Sequence, residues 1–96
     1  MDLAAFRHSL KHDSPPAGLT PALQALWWDA KGDWNKAHLC INDEGGNDAA
    51  RVHAYLHRKE GDQDNAGYWY GTAGASFYKG SPDAEWGELA AARLKG

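Results

Sequence analysis

The sequence predicts an all-α fold of about six helices, arranged as two tandem antiparallel helical hairpins between terminal capping helices. Three observations carry this. Apolar residues recur at helical spacing in several segments, and the strictly alternating runs that mark strands are missing. A glycine followed by an aspartate, the pair that ends one helix and caps the next, occurs twice, as Gly32-Asp33 and Gly61-Asp62.

The elements follow from these signals in order. Asp2 caps a first helix with Leu3, Phe6 and Leu10 on one stripe, expected over 2–12 and stopped by Pro15 and Pro16, which forbid its continuation. Thr20-Pro21 is a start signal, a capping hydroxyl before a proline at the first helical position, and Leu23, Leu26, Trp27 and Ala30 repeat until Gly32. Asp33 caps a third helix bearing Trp34, Ala37, Cys40 and Ile41, which closes a first hairpin over 20–43 before Gly45-Gly46. Asn47 or Asp48 opens a fourth helix with Ala49, Val52, Tyr55 and Leu56 inward. Asp62 caps a fifth with Ala66, Trp69, Tyr70 and Ala73, ending at Gly74 and completing a second hairpin over 48–74. Ser81-Pro82-Asp83 starts a last helix over 81–95, with Trp86, Leu89, Ala90, Arg93 and Leu94 following, that would cover the open end of the stack.

Composition bounds the function. The 96 residues make one small domain of ordinary globular composition, and a net charge of −3 offers no positive field to attract nucleic acid or anionic lipid. No apolar run approaches a membrane span, and the segment from Met1 to His8 meets charge too early for a signal peptide. Cys40 is the only cysteine, which excludes an intramolecular disulfide and any site needing two thiolates from one chain. A cytoplasmic protein is expected.

The two Gly-Asp pairs stand 29 positions apart, and at that offset five of the 23 pairs between 23–45 and 52–74 are identical. They are Ala25 with Ala54, Gly32 with Gly61, Asp33 with Asp62, Ala37 with Ala66 and Gly45 with Gly74. Small residues let paired helices approach, glycine ends a helix, and aspartate caps the next. Gly32-Asp33-Trp34-x-x-Ala37 and Gly61-Asp62-x-x-x-Ala66, with Ala25 and Ala54 before them and Ile41 and Tyr70 after, resemble the turn of a tetratricopeptide-type repeat. The chain departs from that family in its 29-residue period, against about 34, in Pro21 or Ala50 at the usual tryptophan, and in Gln24 or His53 at the usual leucine. It also resembles a group of small bacterial proteins carrying the string from His53 to Asp62 followed by Asn65-Ala66 and Tyr68-Trp69-Tyr70, a group with no activity to carry over.

The tetratricopeptide register implies a concave side formed by Ala22, Leu26, Asp29 and Ala30 from the first hairpin and Arg51, Tyr55, Arg58 and Lys59 from the second. The second set is basic and aromatic, suited to a carboxylate, a phosphate or an acidic peptide. The first functional reading is therefore a protein or peptide interaction module whose contacts are Arg51, Tyr55, Arg58 and Lys59, set against the plainer reading of a solvated charged face. Closure of the short array by a second copy, a homodimer, is a further expectation.

The alternative reading is a small-molecule or metal site. His53 and His57 are four apart on the fourth helix and share a face, with Glu60 one turn further along. Trp28 overlies His57 at the offset of 29, which suggests a pocket of Trp28, His53, His57 and Glu60. Two imidazoles at this spacing can bind zinc, but Ala54 stands where a metalloprotease carries its glutamate, so a third ligand must come from elsewhere, His38 or Glu44. The plainer reading has both histidines as packing elements at the helix seam, and the sequence assigns no metal, no cofactor and no catalytic residue. Nucleophile-elbow and phosphate-loop patterns are absent around Gly71 to Tyr78. Cys40 and His38 diverge by about 200° on one helix and cannot form a nucleophile and base pair.

Overall fold

Helices form where caps and prolines place them. The computed structural model describes residues 1–95 and contains α1 (Leu3–His8), α2 (Pro21–Ala30), α3 (Trp34–Ile41), α4 (Asn47–Lys59), α5 (Gln63–Thr72) and α6 (Pro82–Leu94), with no strand among the described residues. The side chains of Asp2, Thr20, Asp33, Asp62 and Ser81 each accept a hydrogen bond from a backbone N–H of the following first turn. Pro21 and Pro82 occupy the first helical position, where the missing N–H costs nothing. α4 lacks a side-chain cap and starts instead from Gly46 in the left-handed region.

The two Gly-Asp turns have the same backbone. Gly32 and Gly61 lie at φ +86° and +90°, a region a side chain would strain. In each turn the glycine N–H donates three residues back, to Asp29 and Arg58, and the aspartate N–H five residues back, to the carbonyls of Trp28 and His57. This pairing satisfies the helix-end carbonyls and turns the chain at once into the next helix. Accordingly α2 lies along α3 and α4 along α5, the two most extensive helix pairings in the molecule.

The first helix differs from expectation. Its α-helical part stops at His8, and Ser9–Lys11 tightens into a 3-10 turn. Ser9 Oγ donates to the Phe6 carbonyl at 2.6 Å and accepts the Trp27 indole N–H at 3.1 Å. That bond back onto the helix competes with α-helical continuation. Ala30, expected on the inner stripe, is exposed, while Cys40 is only half-buried at the core's edge.

α4 is the central element. It packs against α2, α3, α5 and α6, and every residue from Val52 to His57 is buried. A helix enclosed on several sides loses its simple polar stripe, which is why Tyr55 and the two histidines are all interior. The main core joins Phe6, Leu26, Trp27, Ile41, Val52 and Leu56 to Trp86 and Leu89 of α6. Burial of each such side chain contributes about 1.5–3 kcal/mol. α6 is locked further by the Trp86 indole N–H, which donates to the Leu26 carbonyl at 2.8 Å.

Candidate metal centre

The chain from Trp34 to His38 is one helical turn, so the indole and the imidazole lie on the same side of α3. Their rings stack at 5.0 Å with 7° between planes, and the Trp34 N–H reaches across to the Leu56 carbonyl at 2.9 Å, which fixes this stack against α4. There it meets His53 and His57, themselves one turn apart and near-parallel at 5.8 Å. From the other side, Trp69 of α5 lies flat on His53 at 4.0 Å. Three helices thus bring three imidazoles together between two indoles.

The triangle of rings is nearly regular. His38 stands 5.1 Å from His53 and 5.4 Å from His57, centroid to centroid. One nitrogen from each of the three rings lies within 4.8 Å of the other two. Three imidazoles bound to a tetrahedral ion with metal–nitrogen bonds of about 2.0–2.1 Å would hold their ring centres roughly 5.2 Å apart. Three nitrogens on such an ion stand about 3.3 Å from one another, so the rings must draw their nitrogens together from a spread of up to 4.8 Å to close on it.

The polar bookkeeping of the cluster points the same way. His53 is 3% exposed, and neither ring nitrogen has a hydrogen-bond partner. The Ile41 carbonyl favours the protonated ring without meeting hydrogen-bond geometry. Such an orphaned pair of polar atoms costs stability wherever it has no function. Burial first, then the neighbouring His38 and His57, lowers the His53 pKa to about 4. Burial and His57 also lower that of His38, against the opposing pull of Glu60. Both rings are therefore neutral at pH 7, the form that binds a metal. His57 Nδ1 donates to Glu60 Oε1 at 2.6 Å, leaving Nε2 as the nitrogen free to coordinate. A carboxylate behind an imidazole in this way orients the ring and raises its basicity. Beside the cluster a hollow of about 370 Å³, lined by Trp34 and Glu60 with Gly32, Asp29 and Lys59, opens to solvent.

The placement of the expected residues is mixed. His53, His57 and Glu60 are brought together, and His38 supplies the third imidazole. Glu44 is exposed and lines a different hollow with Thr20, Gly45 and Asp48. Trp28 is not at the site. It meets Trp27 edge-on at 4.9 Å, and the Lys36 ammonium sits 4.1 Å over its ring. Its ring packs on Trp27 and Lys36 and not on His57 or His53, whose aromatic neighbours are Trp34 and Trp69. The indoles at the site are Trp34 and Trp69, the latter reached only through α5; the spacing of four between Trp34 and His38 on α3 was the available signal.

The four residues expected on a concave face are all paired with other residues of the chain, Lys59 while still exposed. Tyr55 is 2% exposed and donates to Asp29 Oδ2 at 2.5 Å, while Lys59 donates to Asp29 Oδ1 at 3.0 Å. Arg51 and Arg58 bind the wholly buried Glu85 of α6 at 2.7 and 2.9 Å. α6 lies on the side of α4 that the register left open, and its carboxylate takes up the charge. Arg58 also donates to the Gly80 carbonyl, and Arg51 lies 4.8 Å from the Tyr70 ring centre.

Comparison with known protein families, with curated proteins and with solved structures gives no match. Among the described residues no helix is long and apolar enough to cross a membrane.

Proposed function

We propose that this chain is a transition-metal-binding protein whose His38, His53 and His57 hold one divalent ion, zinc fitting best. The observation that carries the reading is His53, a buried imidazole whose nitrogens have no hydrogen-bond partner and one of which lies within 4.8 Å of a nitrogen on each of two further imidazoles. Three neutral nitrogen ligands suit zinc and its neighbours in the first transition row better than magnesium or calcium, which prefer oxygen. With three protein ligands a fourth position stays open to water or a small anion, the pattern of exchangeable rather than closed structural sites. In this reading Glu60 positions His57, and Trp34 and Trp69 wall the site with apolar surface that strengthens electrostatics within it. The like turns at Gly32 and Gly61 support a tetratricopeptide-like scaffold, here used to hold a centre between helices. The interaction-module reading has less support, since Arg51, Tyr55 and Arg58 are already paired internally.

Native mass spectrometry of protein loaded with zinc and dialysed tests the proposal. One retained zinc per chain is expected, lost in His38→Gln, a half-buried position whose change leaves the fold intact by circular dichroism. Zinc retained equally by wild type and His38→Gln, or retained by neither, would overturn it.

A further inference from the structure

A second hollow, of about 420 Å³, adjoins the first at Asp29 and Lys59 and extends away from the imidazoles along the Tyr55 face of α4. Tyr55 lines it, and being two residues from both His53 and His57 it points about 200° away from them. The volume is within the range of about 300–1,000 Å³ usual for small-molecule sites. Its floor is buried and its rim is charged: Tyr55, Asp29 and Trp86 lie below, and Arg7, Lys59 and Asp83 stand around the mouth.

The charges at the rim are not equivalent. Asp29 has both oxygens taken, one by Tyr55 and one by Lys59, so its charge is compensated within the fold. Arg7 and Asp83 line the same hollow with opposite charge, yet neither makes an ion pair with the other or with any described residue. The Arg7 guanidinium is held 5.3 Å over the Trp86 ring, which orients its donors. Leu10, Ala30 and Trp86 give the space between an apolar lining. A polyanion would leave Asp83 facing like charge, and a purely apolar ligand would leave both rim charges unused. A molecule with one carboxylate and one ammonium group satisfies both, since the planar guanidinium fits a carboxylate and a carboxylate accepts from an ammonium.

We propose that this hollow binds a small aliphatic zwitterion, an amino acid or short dipeptide, with its carboxylate on Arg7 and its ammonium on Asp83. The site is separate from the imidazole cluster and does not depend on a bound metal. The test is an NMR titration of isotope-labelled protein in chelator with L-leucine and with glycyl-L-leucine. The reporter is the Trp86 indole N–H, which its bond to Leu26 holds in place. A saturable shift with at least one of them is expected, with isocaproate and isoamylamine, each carrying one of leucine's charges, binding about tenfold more weakly or worse. Arg7→Gln and Asp83→Asn should each weaken binding by a similar factor while folding as wild type does by circular dichroism and melting only a few degrees lower, because neither side chain supports an ion pair of the fold and each gives up one weak contact, Arg7 over Trp86 and Asp83 in the first turn of α6. No shift with either zwitterion at tens of millimolar overturns the proposal. So does isocaproate binding as tightly as leucine, which would make the site a simple anion site, and so does binding unchanged in both variants.

Discussion

His53 is a residue whose burial makes little sense for folding alone. Its two nitrogens are orphaned between Trp69 and two other imidazoles. Replacement by an apolar side chain of similar size removes unpaired polar atoms from the interior, and such exchanges are neutral or stabilising. His53→Leu is therefore expected to keep or raise the melting temperature in chelator, by up to about 1 kcal/mol in stability, while abolishing zinc retention. A loss of stability on that change would mark the imidazole as a packing element. Glu85 is the opposite case, a buried carboxylate that is fully paired. It accepts from Arg51, Arg58 and, at 2.5 Å, the Tyr70 hydroxyl. Glu85→Gln leaves two guanidinium groups without a counter-charge and should cost about 3–5 kcal/mol, measured by urea unfolding. Burial, then the hydrogen bond and charge of Glu85, push the Tyr70 pKa up to about 12. A raised pKa stabilises the fold fully below the unfolded value, about 10, and the contribution is lost as pH rises through 12. Stability should thus fall between those two pH values, and Tyr70→Phe should make the fall shallower, the raised pKa of buried Tyr55 sustaining the remainder.

At the scale of the helices, the local signals decided most of the outcome. Asp33 and Asp62 cap α3 and α5 by accepting from Lys36 and Asn65 backbone N–H groups at 3.0 and 3.2 Å. Asp33→Ala and Asp62→Ala should each cost about 1 kcal/mol, read as a shift in the unfolding midpoint, because each orphans one N–H at a helix start. These turns were legible in the sequence since glycine, aspartate and proline act through their own backbones. So were the small residues: Ala25, Ala37, Ala54 and Ala66, picked out by the offset, are all wholly buried. The 3-10 turn at Ser9 was not legible, because it depends on the hydroxyl finding Trp27, 18 residues away. Nor was the interior position of Tyr55 decided locally. Periodicity placed it in the core and the repeat register placed it toward a groove, and the packing of α4 on four other helices settled it inward.

The whole molecule is built around α4, with different chemistry on its two sides. Toward α3 and α5 it presents His53 and His57; toward α2 and α6 it presents Tyr55, Arg51 and Arg58, bound to Asp29 and Glu85. α6 packs over part of the basic face expected on α4 and sets Glu85 against Arg51 and Arg58. That is why the expected contact residues became internal pairs: Glu85 lies 34 and 27 positions from its two arginines, and no periodic signal connects them. The imidazole cluster was half legible. His53 and His57 share a helix face by spacing alone, whereas His38, Trp34 and Trp69 join only through the docking of α3 and α5. The central claim, a three-imidazole centre, is tested most directly by zinc X-ray absorption spectroscopy on the loaded protein. Three imidazole nitrogens at about 2.0–2.1 Å with one further light-atom ligand are expected. A first shell made mainly of carboxylate oxygens, or fewer than three imidazoles, would contradict it.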